Sequence, residues 1–148
     1  MTLPYENATS GKNAIAEMQK ICQKFGADDF GIKENFKTGN VLVQFEWNGR
    51  TVQIEANAKG YAAAWLREHP YTNRMRTTKQ QHEAKAIERG NIAVYSILRD
   101  WFKGQVTAVE IGMLTFEGAF LGQILLPDGR TVLEHAESKN LLPNMEGE

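Results

Sequence analysis

Residues whose types could support catalysis are present in this sequence, but their spacing matches no catalytic pattern. The three histidines, His69, His82 and His135, form neither an HExxH nor an HxH motif. The stretch SGK at residues 10–12 lacks the earlier glycine and the following Ser or Thr of a phosphate-binding loop, and no GxSxG motif is present. We therefore predict no catalytic residue, no metal site and no cofactor, and a protein that is not an enzyme.

Two glutamates lie on the predicted polar face of a β-hairpin. Asn48-Gly49 is a favoured two-residue turn between the alternating apolar and polar residues of 41–56. That turn offsets Glu46 and Glu55 by four residues, which is about 13 Å at about 3.3 Å per residue. Metal-assisted hydrolysis needs carboxylates that converge on ions about 4 Å apart. We therefore predict that both glutamates are solvated strand residues.

The densest positive charge lies in YTNRMRTTK, residues 71–79. This stretch contains Arg74, Arg76 and Lys79 without an acidic residue, and it follows Pro70, which ends a predicted helix. Residues 59–104 hold nine basic and four acidic residues, although the formal net charge of the chain is -1. A basic middle region can face an anionic partner, and solvated helix faces give the same count.

We predict that the basic segment 67–79 binds a host protein or an anionic nucleotide or nucleic acid. Burial would penalise so many positive charges, so the segment is expected to lie on the surface. The alternative is a solvated loop whose arginines pair with Glu68 or Glu83. The predicted partner-binding residues are basic, aromatic or hydroxyl-bearing side chains: Lys59, Tyr61, Arg67, Tyr71, Arg74, Arg76, Thr78 and Lys79.

The periodicity of apolar residues predicts a single α+β domain over residues 1–148. Residues 12–25 have helical spacing, with Ser10 as a possible cap and Gly26 at the C-terminal stop. Alternation over residues 29–56 predicts a three-stranded antiparallel β-meander. Helices are expected to cover its apolar face, which is formed by Val43, Phe45, Val52 and Ile54.

The second half of the chain is predicted to be mostly helical. A short helix precedes Pro70, and a long central helix spans about 78–103 with an apolar stripe. Short helical turns follow Gly104, the second capped by Thr115, and a short β-hairpin is predicted at about 123–134, around the turn Pro127-Asp128-Gly129. The predicted stripe of the long helix is Ile87, Asn91, Val94, Leu98 and Trp101.

The long helix also predicts self-association. Tyr95 and Phe102 widen its apolar stripe beyond what one small sheet would cover. We therefore predict a homodimer through the 78–103 helix.

Composition gives the expected compartment. No apolar run approaches the length of a membrane-spanning helix, and the polar start MTLPYENATSGKN does not resemble a signal peptide. The single cysteine, Cys22, excludes an internal disulfide and lies on an apolar helical stripe, where it is expected to be a core thiol. We predict a cytoplasmic protein with no membrane partner and frayed termini at residues 1–10 and 137–148.

Two stretches resemble a broad set of uncharacterised proteins encoded by phages, prophages and related mobile elements. SILRDWFKGQVTAVEIGMLTFEGAFLGQILLPDGRTVLE, residues 96–134, is similar to their C-terminal half, and EMQKICQKFGADDFGI, residues 17–32, is similar to their N-terminal half. The chain departs from their commoner pattern at Gly118, Gly122 and Gln123. The resemblance implies a phage accessory role and transfers no catalytic residue. It implies core positions at Val109, Ile111, Phe116, Phe120 and Leu121, and a turn at Asp128-Gly129.

Three functions are consistent with these observations. The first is a non-enzymatic phage accessory protein that counteracts host defence by occupying an immune protein or by sequestering a nucleotide signal. The second is a nucleic-acid-binding accessory protein in phage replication or recombination, whose binding would weaken steeply with salt. The third is a structural or virion component, which would form large symmetric assemblies.

Overall fold

The first helix begins and ends at the residues that the sequence signals predict. Helix α1 spans Gly11–Phe25, and the Ser10 side chain accepts a hydrogen bond from the Asn13 N–H at 3.2 Å. Gly26 follows with a left-handed φ of +93°, a conformation that glycine adopts without strain. The apolar stripe of α1 is buried, including Met18. The computed structural model, which describes residues 3–145, therefore confirms this helix.

The predicted meander is a three-stranded antiparallel sheet. Strands β1 (Asp29–Glu34), β2 (Asn40–Trp47) and β3 (Arg50–Asn57) lie in the order β1-β2-β3. Asn48 and Gly49 have positive φ values of 49° and 78°, as a tight two-residue hairpin turn requires. This part of the fold prediction is confirmed.

The strand register separates the two glutamates of the hairpin. Glu46 lies opposite Thr51, and Glu55 lies opposite Leu42. The predicted four-residue offset is therefore correct, and the two carboxylates do not converge.

The apolar face of the sheet packs against helices through aromatic side chains. Val43, Phe45 and Val52 are fully buried, whereas Ile54 at the end of this face is only half-buried. The ring of Phe45 meets those of Phe102 and Phe120 edge-on, with centroids 5.2 and 5.5 Å apart. We call the cluster around Phe45 the sheet core.

The long helix is longer than predicted. Helix α2 spans Lys59–Glu68, and α3 spans Lys79–Glu110, so the predicted end near residue 103 is wrong. Gly104 does not interrupt the helix, and a Cβ placed there would meet nothing within 4 Å. The helix ends before Gly112, which has a positive φ of 75°. The stretch predicted as a separate helical turn is the last part of α3.

Helix α2 packs on small residues of α3, which corrects the predicted stripe. Ile87 is 44% exposed and Asn91 is also exposed, whereas Ala86 and Gly90 are buried. A Cβ at Gly90 would lie 2.9 Å from the Ala58 carbonyl oxygen, so the two helices touch at their backbones. Close packing therefore selects small residues here rather than the large apolar side chain that the periodicity suggested.

A second, smaller apolar cluster lies between α2 and α3. We call it the Trp65 cluster. Its buried members are Ala62, Trp65 and Ala86, with Leu3 and Leu66 packed against them.

The two aromatic side chains of α3 that predicted a homodimer are covered within one chain. Tyr95 and Phe102, which widen the stripe in the sequence, are buried in the sheet core of the same chain. These two side chains are therefore not available to a second copy, and the homodimer itself stays a prediction.

The predicted C-terminal hairpin is wrong, because a helix replaces its second strand. Short helix α4 (Phe116–Phe120) begins at its predicted cap, Thr115, and a 3₁₀ turn (Leu121–Gln123) follows. The turn forms, since the Gly129 N–H donates to the Leu126 carbonyl at 3.0 Å, but pairing stops at the single bridge between Leu125 and Thr131.

Thr131 begins the last helix, α5 (Val132–Ser138). Its side chain accepts from the Glu134 N–H at 3.2 Å, while the Glu134 carboxylate accepts from the Thr131 N–H at 3.0 Å. This reciprocal capping box fixes a helix start at the residue where the predicted strand should continue. Of the core positions implied by the resemblance, Phe116 and Phe120 are buried, but Ile111 is 70% and Leu121 54% exposed.

The N-terminal segment is hydrogen-bonded to the helices. The Tyr5 hydroxyl donates to Asp100 at 2.7 Å, and the Tyr61 hydroxyl donates to the Pro4 carbonyl at 2.7 Å. Residues 1–2 and 146–148, part of the ends predicted to fray, lie outside the described residues. Between residues 3 and 145, no helix has both the length and the apolar character needed to cross a bilayer.

Candidate partner-binding surface

The segment between α2 and α3 is an exposed loop that is bonded to itself. Residues 72–80 are all exposed, whereas His69 and Tyr71 of the predicted segment 67–79 are half-buried. The Tyr71 hydroxyl donates to the Thr77 carbonyl at 3.0 Å, and the Met75 N–H donates to the Thr72 carbonyl at 3.1 Å. Both bonds join residues of the loop to each other. It therefore presents its side chains from a defined backbone.

Thr78 ends this loop by capping α3. Its hydroxyl accepts from the Gln81 N–H at 3.1 Å, and the Gln81 side chain accepts from the Thr78 N–H at 2.9 Å. A capping box satisfies two of the N–H groups at the helix start. Thr78, predicted to contact a partner, thus has a structural role in holding the loop.

The three basic side chains of the loop form no ion pair within the described chain. Arg74, Arg76 and Lys79 are exposed, and none of the ion pairs found between residues 3 and 145 includes them. The alternative prediction paired the arginines with Glu68 or Glu83, and those pairs are absent from these residues. The three cations are therefore exposed and form no ion pair within residues 3–145.

A cavity of about 290 Å³ adjoins the loop and is partly walled by rings. Trp65 stacks on His69 with centroids 4.4 Å apart, and the ring of His82 tilts against Trp65 at 5.1 Å. The Lys85 ammonium lies 5.9 Å from the centre of the Trp65 ring, within the range of a cation–π contact. Arg76 also lines this cavity, whereas Trp65 and His82 in its wall are buried.

Backbone carbonyls hold both histidines in place. The His82 Nε2 lies 2.5 Å from the His69 carbonyl oxygen, and because a carbonyl can only accept, Nε2 donates. The His69 Nδ1 donates in the same way to the Trp65 carbonyl at 3.1 Å. Its other nitrogen, Nε2, lies 3.0 Å from the Glu6 carboxylate. This wall of the cavity is therefore hydrogen-bonded to the backbone, and His69 joins the end of α2 to the N-terminal segment.

Sequence reasoning missed this cavity. The sequence suggested only catalytic or metal-binding motifs for His69 and His82, and it contains neither kind of motif at these residues. Thirteen positions separate the two histidines, and no periodicity within one element predicts that α2 and α3 place them on the same indole.

The other predicted partner residues lie apart from the basic loop or are engaged elsewhere. Arg67 is exposed in the last turn of α2, next to the loop in sequence. Lys59 begins the same helix and lies about 12 Å from Arg67 along the helix axis, at a rise of about 1.5 Å per residue. The Tyr61 hydroxyl is bound to the Pro4 carbonyl, and burial, followed by the charge of Glu6, raises its pKa.

The described residues show no arrangement for metal or thiol chemistry. Between residues 3 and 145, no group of three or more His, Cys, Asp or Glu side chains could hold a metal ion. Cys22 is buried as predicted, and desolvation raises the pKa of its thiol to about 12, which disfavours the reactive thiolate.

Comparisons with protein-family models, curated proteins and solved structures gave no match to this chain.

Proposed function

We propose that this chain is a binding protein that presents Arg74, Arg76 and Lys79 to an acidic surface of another protein. The observation that supports this proposal best is the exposure of these three cations on a self-bonded loop, without an ion pair inside residues 3–145. An arginine that has no internal carboxylate partner keeps its full set of donors for a carboxylate on another molecule.

The surface around the loop favours a protein partner over a single-stranded nucleic acid. Arginine is frequent among the side chains that dominate protein interfaces, and Arg76 lines the cavity whose Trp65 and His82 rings are themselves buried. Single-strand binding needs exposed rings on which bases stack. Tyr71 is only half exposed, because its ring lies 5.8 Å from that of His82 and its hydroxyl is bonded to Thr77.

The biological setting of the proposal comes from the resemblance to phage proteins. A small phage accessory protein that binds acidic surfaces would act by occupying a host protein, and a protein of host defence is the partner class that we propose. Arg67, at the end of α2 next to the loop, would extend the same basic surface.

Charge reversal tests this proposal directly. The wild-type chain is immobilised, host lysate is passed over it, and retained proteins are identified by mass spectrometry. We expect the variant with Arg74→Glu and Arg76→Glu to lose the acidic partner while its free energy of unfolding changes by no more than about 0.5 kcal/mol. The matched control reverses Lys20 and Lys24, two exposed residues of α1, and should retain the partner.

Salt dependence separates the protein partner from a nucleic acid. Three phosphate contacts would give a slope of log affinity against log salt of about -2 to -3. A partner that is retained at wild-type strength by the Arg74→Glu, Arg76→Glu variant would contradict the proposed surface. Retained nucleic acid with the steep slope would contradict the protein partner.

A further inference from the structure

A second cleft lies at the opposite end of α2 from the basic loop. It encloses about 340 Å³, at the lower end of the range for small-molecule sites. The β1–β2 turn forms one lip, α3 forms the other, and the start of α2 closes one end. The side chains that matter for its chemistry are Glu34, Phe36, Lys37, Lys59, Asn91 and Tyr95.

The lip of this cleft holds an aromatic ring in water. Phe36 is 92% exposed, although the turn that bears it is fixed. The Asn35 side chain accepts from the N–H groups of Lys37 at 2.9 Å and Thr38 at 3.1 Å, and the Gly39 N–H donates to the Asn35 carbonyl at 2.8 Å. The backbone below the ring is therefore set before any ligand arrives, and the ring offers a flat face for stacking.

The opposite lip offers an exposed amide. Asn91 lies in the middle of α3 and lines the cleft. A carboxamide can pair with adenine through two hydrogen bonds, to N6 and N7 of the base. The ring of Phe36 and the amide of Asn91 thus match the face and the edge of one base.

The floor and the end of the cleft suit a ribose and a phosphate. The buried Tyr95 hydroxyl donates to one oxygen of Glu34, and burial, helped by this bond, raises the pKa of Tyr95 well above its usual range. Tyr95 thus stays a donor, and the second Glu34 oxygen can accept from a ribose hydroxyl. Lys37 and Lys59 are both exposed and line the same cleft, so it has two cations that could pair with a phosphate.

We propose that this cleft binds an adenine 5′-nucleotide, with the base stacked on Phe36 and hydrogen-bonded at its edge to Asn91, and the phosphate beside Lys37 and Lys59. This site does not depend on the proposed protein partner, because the residues that would bind the nucleotide are separate from the basic loop. A chain with both sites would bind a host protein with one end of α2 and a nucleotide with the other.

Calorimetric titration with AMP tests the cleft. We expect saturable binding with one site per chain, weakened about tenfold by Phe36→Ala and by Asn91→Ala, since a stacked base or a bidentate amide–base pair is typically worth about five- to hundredfold in affinity. Phe36 is almost fully exposed, so its truncation leaves the fold intact. Ile97→Ala is the matched control, because Ile97 is an exposed apolar residue of α3 outside the cleft, and it should bind AMP like the wild type.

Four results would overturn the proposal. The first is no saturable binding at about 1 mM AMP. The second is AMP binding that both cleft variants leave unchanged. The third is competition by CMP or inorganic phosphate that equals competition by AMP, which would show that the base is not recognised. The fourth is loss of AMP binding in the Arg74→Glu, Arg76→Glu variant, which would place the nucleotide at the basic loop. Wild-type AMP binding by that variant supports the cleft and leaves the protein-partner test independent.

Discussion

The two apolar clusters of this chain differ in the side chains that form them. The sheet core is aliphatic and aromatic, and its rings pack on one another around Phe45. The Trp65 cluster has one large apolar ring, and two histidines held by backbone carbonyls cover its faces. The first cluster holds the sheet and helices together. The second places the half-exposed His69 ring and the buried His82 ring next to a basic loop.

This difference shows how one small chain can separate stability from recognition. Burial of apolar area is non-directional and supplies most of the free energy of folding. Recognition needs polar groups in fixed positions, which are costly to bury and therefore suit a smaller cluster at the edge. The following predictions test whether the two clusters have these different roles, in decreasing order of expected effect.

Truncation within the sheet core should have the largest effect. Phe45→Ala removes a fully buried ring that touches three others, and we expect the free energy of unfolding to fall by about 3–5 kcal/mol. Gln44→Ala, on the opposite face of the same strand, should change it by no more than about 0.5 kcal/mol. Urea denaturation of both variants measures the difference, and equal losses would show that the faces are assigned incorrectly.

The contact between α2 and α3 should tolerate no added methyl group. Gly90→Ala places its Cβ 2.9 Å from the Ala58 carbonyl, and we expect overpacking to cost about 1–3 kcal/mol, more than the gain in helix propensity of about 0.5–1 kcal/mol. Gly104→Ala is the control, since its Cβ meets nothing within 4 Å. It should stabilise the chain by that propensity gain. A stabilised Gly90→Ala variant would refute the close approach of the two helices.

Removing the cap of α3 should loosen the Trp65 cluster without disturbing the sheet core. Thr78→Ala deletes the hydroxyl that accepts from Gln81, and loss of such a cap costs about 1 kcal/mol. Hydrogen exchange should speed up in the first turns of α3 and stay unchanged in β2. Thr72→Ala, in the same exposed loop, should leave both unchanged, and uniform acceleration over the whole chain would contradict two separable clusters.

The thiol of the sheet core should be inert at neutral pH. Cys22 has a folded pKa of about 12, raised by burial, whereas the unfolded thiol titrates near its ordinary value of about 8.5. The folded state therefore favours the neutral thiol. Its contribution to stability is complete below about pH 8.5 and is lost as the pH rises toward 12.

Two measurements check this prediction. A thiol reagent at pH 8 should label the native chain only after denaturant is added. The fall in unfolding free energy above pH 8.5 should be shallower in Cys22→Ala than in the wild type. Rapid labelling of the native chain would show that the sheet core opens as readily as the surface.

Local signals in the sequence were sufficient where each element has its own start, stop and period. Ser10 and Gly26 fix α1, and Asn48-Gly49 fixes the hairpin register, because both signals act over a few neighbouring residues. The same kind of signal was present at Thr131 and Glu134, a capping-box pair. It was overlooked there because the preceding turn suggested a strand.

Signals that depend on another element were misjudged. Gly104 precedes the predicted short turns, but α3 continues through it and ends before Gly112, which has the left-handed conformation that is common after the last turn of a helix. Ile87 fitted the apolar stripe of α3, yet α2 packs on its small neighbours Ala86 and Gly90. Tyr95 and Phe102 widened the stripe toward a predicted dimer, whereas the sheet and α1 cover both side chains within one chain.

The sequence by itself determined the α+β class, the meander and its register, the buried thiol, and the exposure of the basic loop. Each of these follows from periodicity, turn chemistry or charge within a short stretch. Only the tertiary structure decided which side chains share a surface: His69 and His82 on the ring of Trp65, and Phe36 opposite Asn91 across a cleft. These pairs come from separate elements that helix packing brings together, and no interaction between neighbours in the sequence encodes their distance.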